Sequence, residues 1–201
     1  MDAPHRIGVL GGSFNPPHIA HLAVASDACT ALDLERVLFV PAWSPPHKEI
    51  DDGVTAAERL AMTELAIAGD ERFVASPVEI ELGLRYTVDT LTEIGRRHPG
   101  RGLVFIIGSD TLLQLDTWHE PRRVLALAEV AVALRPGDEP GEMQAAVQRW
   151  GSDRLSVVDA AAIDVSSTMV RERVRAGRPI RYLVPRAVED YIREHALYKG
   201  S

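Results

Sequence analysis

Cysteine is nearly absent from this chain of 201 residues, with Cys29 the single example. That excludes an intrachain disulfide and a cysteine-based zinc site, and it suits a reducing cytosol. Taken alone, Cys29 reads as a small buried hydrophobe. A basic surplus is also missing: 22 lysines and arginines face 29 acidic residues, giving a formal net charge of −7 and a pI near 5.5. Such a balance argues against broad attraction to nucleic acid or to an anionic membrane, so any phosphate chemistry must be local. No apolar run approaches the ~20 residues needed to cross a bilayer. The opening "MDAPHR" enters a strand-like run without the basic segment and apolar core of a signal sequence, and a cytoplasmic location is expected. Neither G-x-G-x-x-G nor G-x-x-x-x-G-K-[ST] occurs, which excludes the ordinary dinucleotide fingerprint and the P-loop.

What is present is a regular alternation. At 46% hydrophobic the chain is long enough to bury one core, and residues 1–201 are read as one domain. Short β-rich runs fall at Arg6–Gly11, Arg36–Pro41, Arg72–Ser76, Leu103–Gly108, Val130–Leu134 and Leu155–Asp159. Helix-sized segments separate them at about Ile19–Leu32, Thr55–Ala68, Thr87–Arg97 and Arg122–Ala128, the second opening on a capping box of Thr55 and Glu58. Near-continuous apolar strands alternating with helices predict an α/β fold, a doubly wound, Rossmann-like parallel sheet with helices on both faces. Two further helices, in "SSTMVRERVRAG" and "PRAVEDYIREHALY", give a small helical C-terminal end over 165–198. "AWSPPHKEIDDG" (Ala42–Gly53) and "RPGDEPGE" (Arg135–Glu142) read as loops within the domain.

In such sheets ligands lie beyond the carboxyl ends of strands where the strand order reverses. Two loops at such ends are unusual: "GGSFNPPH" after the first strand and "GSDTLLQLDTW" (Gly108–Trp118) after the fourth. If those strands flank the reversal, the loops face each other across one crevice. Within "GVLGGSFNPPHIAH", Gly11 and Gly12 allow a sharp turn and close approach to a ligand, and Ser13 with the following amides can line a phosphate site. Pro16 and Pro17 stiffen the approach to the helix, so His18 and His21, at i and i+3, project from one face of its first turn, where anions are already favoured. The plain alternative is a tight turn followed by two satisfied polar residues at a helix end.

Three later stretches have similar double readings. His47 and Lys48 of "PAWSPPHK" can bring positive charge to a phosphate or be solvated loop residues. Asp110 suits ribose hydroxyls, and Trp118 offers either a stacking surface or a core aromatic. In "DVSSTMVRERV", Ser166, Ser167 and Thr168 are good helix caps, with Arg171 three positions beyond Thr168 on the same face; the plain alternative is a capped helix whose arginines pair with Glu172 in solvent.

A strand followed by "GGSFNPPHxxH" and a helix resembles the hallmark of the nucleotidylyltransferase superfamily, whose H-x-G-H motif binds the nucleotide triphosphate. The chain departs from it at Ala20, where glycine is usual, and at Asn15, where aspartate is common; Ala20 implies tighter packing near the phosphates. Together with "PPHK", "GSD" and its downstream tryptophan, "LRPG", "SSTMVR" and the terminal "VPRAVEDYIREHALY", the chain from Arg6 to Tyr198 resembles the bacterial nicotinate-nucleotide adenylyltransferase family.

That resemblance implies transfer of AMP from ATP to nicotinate mononucleotide, forming deamido-NAD and pyrophosphate in NAD biosynthesis. Residue by residue, it implies that Gly11, Gly12, Ser13, Phe14, His18 and His21 meet ATP and its phosphates. Ser166, Thr168 and Arg171 would grip the β and γ phosphates, and His47 and Lys48 would close over the phosphate groups. Gly108 and Asp110 would meet ribose, and adenine would lie near Leu134 and Arg135. The nicotinate mononucleotide would touch Ser13, His47, Lys48, Asp110, Tyr86, Thr87, Trp118 and His119, its ring stacking on Trp118. Catalysis would fall to His18, His21, His47, Lys48 and Arg171. Mg²⁺ would be carried mainly by the ATP phosphates, with no dedicated protein metal site, and no nucleic acid or membrane partner is implied; a homo-oligomer is compatible with all of this. Phosphopantetheine adenylyltransferases and cytidylyltransferases share the first motif but not "PPHK" with Trp118, and a nucleotide sensor without turnover is the rival outside enzymes.

Overall fold

The computed structural model describes residues 5–44, 53–134, 138, 140–151 and 153–199. Among the described residues six strands make one sheet: β1 (Arg6–Gly12), β2 (Arg36–Pro41), β3 (Phe73–Ala75), β4 (Gly102–Gly108), β5 (Glu129–Ala133) and β6 (Leu155–Val158). Every pairing is parallel, in the order β3-β2-β1-β4-β5-β6. The order reverses between β1 and β4, as the doubly wound reading requires, and the connections after these two paired strands leave to opposite faces, α1 to one and α5 to the other, the place where such sheets form a ligand crevice.

The helices are α1 (Ile19–Ala31), α2 (Ala56–Ile67), α3 (Val78–Leu82), α4 (Thr87–Arg97), α5 (Ser109–Leu113), α6 (Pro121–Leu127), α7 (Pro140–Trp150), α8 (Ser167–Arg175) and α9 (Arg186–Glu194). They split between the faces of the sheet because strand side chains alternate. Leu10, Val37, Phe39, Val104 and Ile106 point to a layer with Ala25, Ala28 and Cys29 of α1, Met62 of α2, Val170 of α8 and Ile192 of α9. Ile7, Val9, Leu38, Val40, Phe105 and Ile107 point the other way, to Leu91 and Ile94 of α4, Val124 of α6 and Met143 of α7. Buried strands sandwiched in this manner are what continuous apolar runs specify. Cys29 is buried, and burial pushes its thiol up from the ordinary value, in keeping with a packing role.

Three short or late helices depart from the sequence reading. α7 begins at Pro140, inside the stretch read as the loop Arg135–Glu142; proline is well suited to a first helical turn, which removes only an N–H that would lack a partner. α3 and α5 span five residues each, too short to show a helical period.

Gly8 explains one close approach. A Cβ there would lie 2.8 Å from Leu34 Cδ1 and 3.1 Å from both Ile106 Cδ1 and Val37 Cγ2. Gly8→Ala is therefore expected to destabilise the fold by about 1–3 kcal/mol through overpacking, read as a lower urea midpoint with an unchanged slope; a wild-type midpoint would contradict this packing.

Candidate active site

The loop after β1 is built to hold two histidines at the crevice. Phe14 takes a left-handed backbone, with φ of 45°, and folds its ring back beneath Gly12. That ring is buried and meets Phe39 at 5.7 Å and His21, edge-on, at 5.0 Å between centroids. Phe14 can thus offer a nucleotide its backbone but not its side chain. Pro16 and Pro17 lead to His18, the extended N-cap of α1. The His18 and His21 rings stack with centroids 3.7 Å apart, as the i, i+3 spacing predicts. The His18 backbone N–H donates to His21 Nδ1 at 3.2 Å. With Nδ1 accepting, a neutral His21 carries its proton on Nε2, a donor suited to a phosphate oxygen.

α8 is docked on this same loop. Ser167 Oγ donates to the Pro16 carbonyl at 2.8 Å, and Arg171 Nη1 donates to the Asn15 carbonyl at 2.8 Å. Arg171 Nη2 lies 3.4 Å from Thr168 Oγ1, the pairing expected on one helix face. Ser166 caps the helix by accepting from the Met169 N–H at 3.1 Å, so its hydroxyl already has a structural duty. Ser166 and Thr168 are exposed.

Across the crevice, β4 ends at Gly108, paired in register with Ala133, and Leu134 follows on the surface. Asp110 is exposed in the first turn of α5. Trp118 is half-buried and packs edge-on to Phe105, with centroids 5.8 Å apart, so it is both a core aromatic and a partly open surface. The exposed Tyr86 ring lies 4.3 Å from that of His119, and Thr87 opens α4 immediately after Tyr86. The structure thus gathers Tyr86, Thr87, Trp118 and His119 on the β4 side and His18, His21 and Arg171 on the β1 side. His47, Lys48 and Arg135 lie outside the described residues.

Residues 9–173 match the cytidylyltransferase-like family. A protein of Thermomicrobium roseum named "Probable nicotinate-nucleotide adenylyltransferase" is 44% identical over 197 residues, covering 96% of this chain and 92% of its own. A Synechococcus protein of the same name is 41% identical over 196 residues, covering 96% and 94%. The chain belongs to the nicotinate-nucleotide adenylyltransferase family. Its fold is shared with the Plasmodium falciparum nicotinic acid mononucleotide adenylyltransferase solved in complex with NaAD, at a TM-score of 0.81 and 18% identity over 96% of this chain and 97% of that one.

Two residues that hold the loops bordering the crevice escaped the sequence reading. Arg59 of α2 is 1% exposed. Its Nη1 donates to the Ser13 carbonyl at 2.8 Å, and its Nη2 to the carbonyls of Ala42 at 2.6 Å and Trp43 at 3.3 Å. One guanidinium therefore ties the loop after β1 to the loop after β2. The available signal was a charge on the apolar face of α2, three positions before the buried Met62. Glu79 of α3 secures the second loop, accepting from the Trp43 N–H at 3.3 Å and from Thr90 Oγ1 at 2.8 Å.

Burial pushes the Glu79 carboxyl above the ordinary glutamate range, against the opposing pull of Thr90, the Trp43 N–H and the Arg59 charge. A carboxyl with a raised folded-state pKa holds its proton longer folded than unfolded. Its contribution to stability is complete in acid and is lost as pH rises from the ordinary glutamate value through the raised one. In Glu79→Gln the amide oxygen can accept from the Trp43 N–H while the amide NH2 donates to Thr90 Oγ1, whose own hydroxyl has the Tyr86 carbonyl as acceptor at 3.3 Å. Its Tm should therefore match wild type below about pH 4 and exceed it at pH 7. A lower Tm at pH 7 would contradict this.

Proposed function

We propose that the crevice between β1 and β4 transfers AMP from ATP to nicotinate mononucleotide, with the triphosphate on the His18, His21 and Arg171 side and the pyridine ring on the Trp118 side. The observation that carries this arrangement is the stacked histidine pair held at the strand-order reversal by a loop to which Arg171 is itself bonded. Gly11, Gly12 and Ser13 bring backbone amides to the phosphates, Thr168 and Ser166 add the N-terminal turn of α8, and His47 with Lys48 supplies further positive charge from the loop after β2. Gly108 and Asp110 serve ribose, and adenine lies by Leu134 and Arg135. Tyr86, Thr87 and His119 border the nicotinate ring on Trp118. We further assign the reaction to the cytoplasm.

The chemistry needs no protein nucleophile. The second pKa of a phosphate monoester is about 6, so the acceptor phosphate is largely dianionic at neutral pH. One of its oxygens forms a bond to the α-phosphorus of ATP as the bond from that phosphorus to the bridging oxygen breaks and pyrophosphate leaves. The obstacle is holding two polyanions in line while negative charge grows on the departing oxygen, a matter of positioning and electrostatics. The Nε2–H of His21, the imidazole of His18 and the Arg171 guanidinium are donors suited to that charge, and they keep their places because the loop is fixed beneath them.

Among the described residues no group of three or more histidine, cysteine, aspartate or glutamate side chains could hold a metal ion. The crevice donors are cations and N–H groups, a set that fits phosphate oxygens. Such a site suits Mg²⁺ carried by triphosphate oxygens and water, where the ion would offset phosphate charge.

His21→Ala is expected to lower kcat about 100-fold or more while the KM for nicotinate mononucleotide changes little, measured by pyrophosphate release; near-native turnover would overturn its role. Arg171→Ala should raise the KM for ATP about 10-fold or more, the worth of a charge-assisted hydrogen bond, and unchanged ATP kinetics would refute the triphosphate contact. In the same assay nicotinate mononucleotide should react rapidly and nicotinamide mononucleotide little; equal rates would remove the acid preference.

A further inference from the structure

The terminal "HALY" is part of the sequence pattern, yet the chemistry above gives it no task. After α9 the chain turns back through two left-handed residues, Ala196 at φ 52° and Tyr198 at φ 61°. The Leu197 N–H donates to the Ile192 carbonyl at 3.0 Å, and Leu197 and Tyr198 are both buried in the layer that holds Phe14 and Met62. This unfavourable backbone delivers one hydroxyl to one place: Tyr198 Oη donates to Asn15 Oδ1 at 2.6 Å, with both side chains buried. Asn15 is the residue whose carbonyl accepts from Arg171, and it lies three positions before His18. A bond spanning 183 residues of sequence therefore reaches the midpoint between the phosphate-binding turn and the histidine pair.

We propose that Tyr198 is a positioning residue for the transfer reaction, its hydroxyl fixing the Asn15 amide and, through it, the orientation of His18, His21 and Arg171. This rests on the adenylyltransferase reading of the crevice. Packing of the tyrosine ring closes the core, and the hydroxyl acts on the loop.

The test is Tyr198→Phe in the full chain, which keeps the buried ring and removes the hydroxyl, compared with Asn15→Leu and with the double variant. Two properties are read: the imidazole NMR signals of His18 and His21, assigned through His18→Gln and His21→Gln with His98 as the distant control, and steady-state pyrophosphate release. We expect both histidine signals to shift while that of His98 stays. We expect kcat to fall about tenfold, the worth of one hydrogen bond, with the KM for nicotinate mononucleotide within about twofold of wild type. The double variant should lose no more than either single one, as for two ends of one interaction. Unmoved histidine signals, a native kcat accompanied only by a lower Tm, or losses that multiply in the double variant would overturn the proposal. Absence of turnover in the wild type would instead refute the transferase reading, and the histidine signals would still decide the role of Tyr198.

Discussion

A single buried guanidinium holds the two loops on which the crevice depends. Loop carbonyls withdrawn from water need donors, and arginine offers five N–H groups in a planar fork. Arg59 presents that fork to Ser13, Ala42 and Trp43 from a helix whose start is fixed by the reciprocal bonds of Thr55 and Glu58. Below this clamp the parallel sheet supplies a rigid floor. From α8, in the same layer, Ser167 and Arg171 grip Pro16 and Asn15. The turn after β1 is thus held by α2 and α8 at once, and the left-handed Phe14 backbone is kept in place by burial of its ring.

This arrangement separates charge across the molecule. The chain is acidic as a whole, with a net charge of −7, yet the proposed phosphate side carries two histidines, an arginine and the N-terminal turns of α1 and α8. A shallow groove at the amino end of β3 is lined by Glu64, Asp70 and Glu71, on the far edge of the sheet from the crevice, and its charge has the same sign as the substrates. Overall repulsion with local attraction favours one docking place for a polyanion.

Much of this was legible in the sequence because it is local. The strand runs and the β1 turn carry their own periodicity and turn residues, and β2 and α4 begin and end where the pattern places them. The stacking of His18 on His21 follows from three-residue spacing at a helix start. The contacts that fix the site were not legible, since they join distant parts of the chain: Arg59 to Ser13, Ser167 to Pro16, Tyr198 to Asn15. Phe14 is instructive, because the glycine-rich turn announces a backbone site while the inward swing of the ring depends on Phe39, a neighbour from another strand. α7 was obscured by a proline and a glycine that resemble loop punctuation but fit a helix start.

A crystal structure with a non-hydrolysable ATP analogue and a divalent cation would show where the triphosphate lies in the crevice. The triphosphate should lie within hydrogen-bonding distance of His18, His21 and Arg171, with the adenine beyond β4 and β5. A triphosphate that touches none of these three side chains, in a crevice otherwise intact, would contradict it.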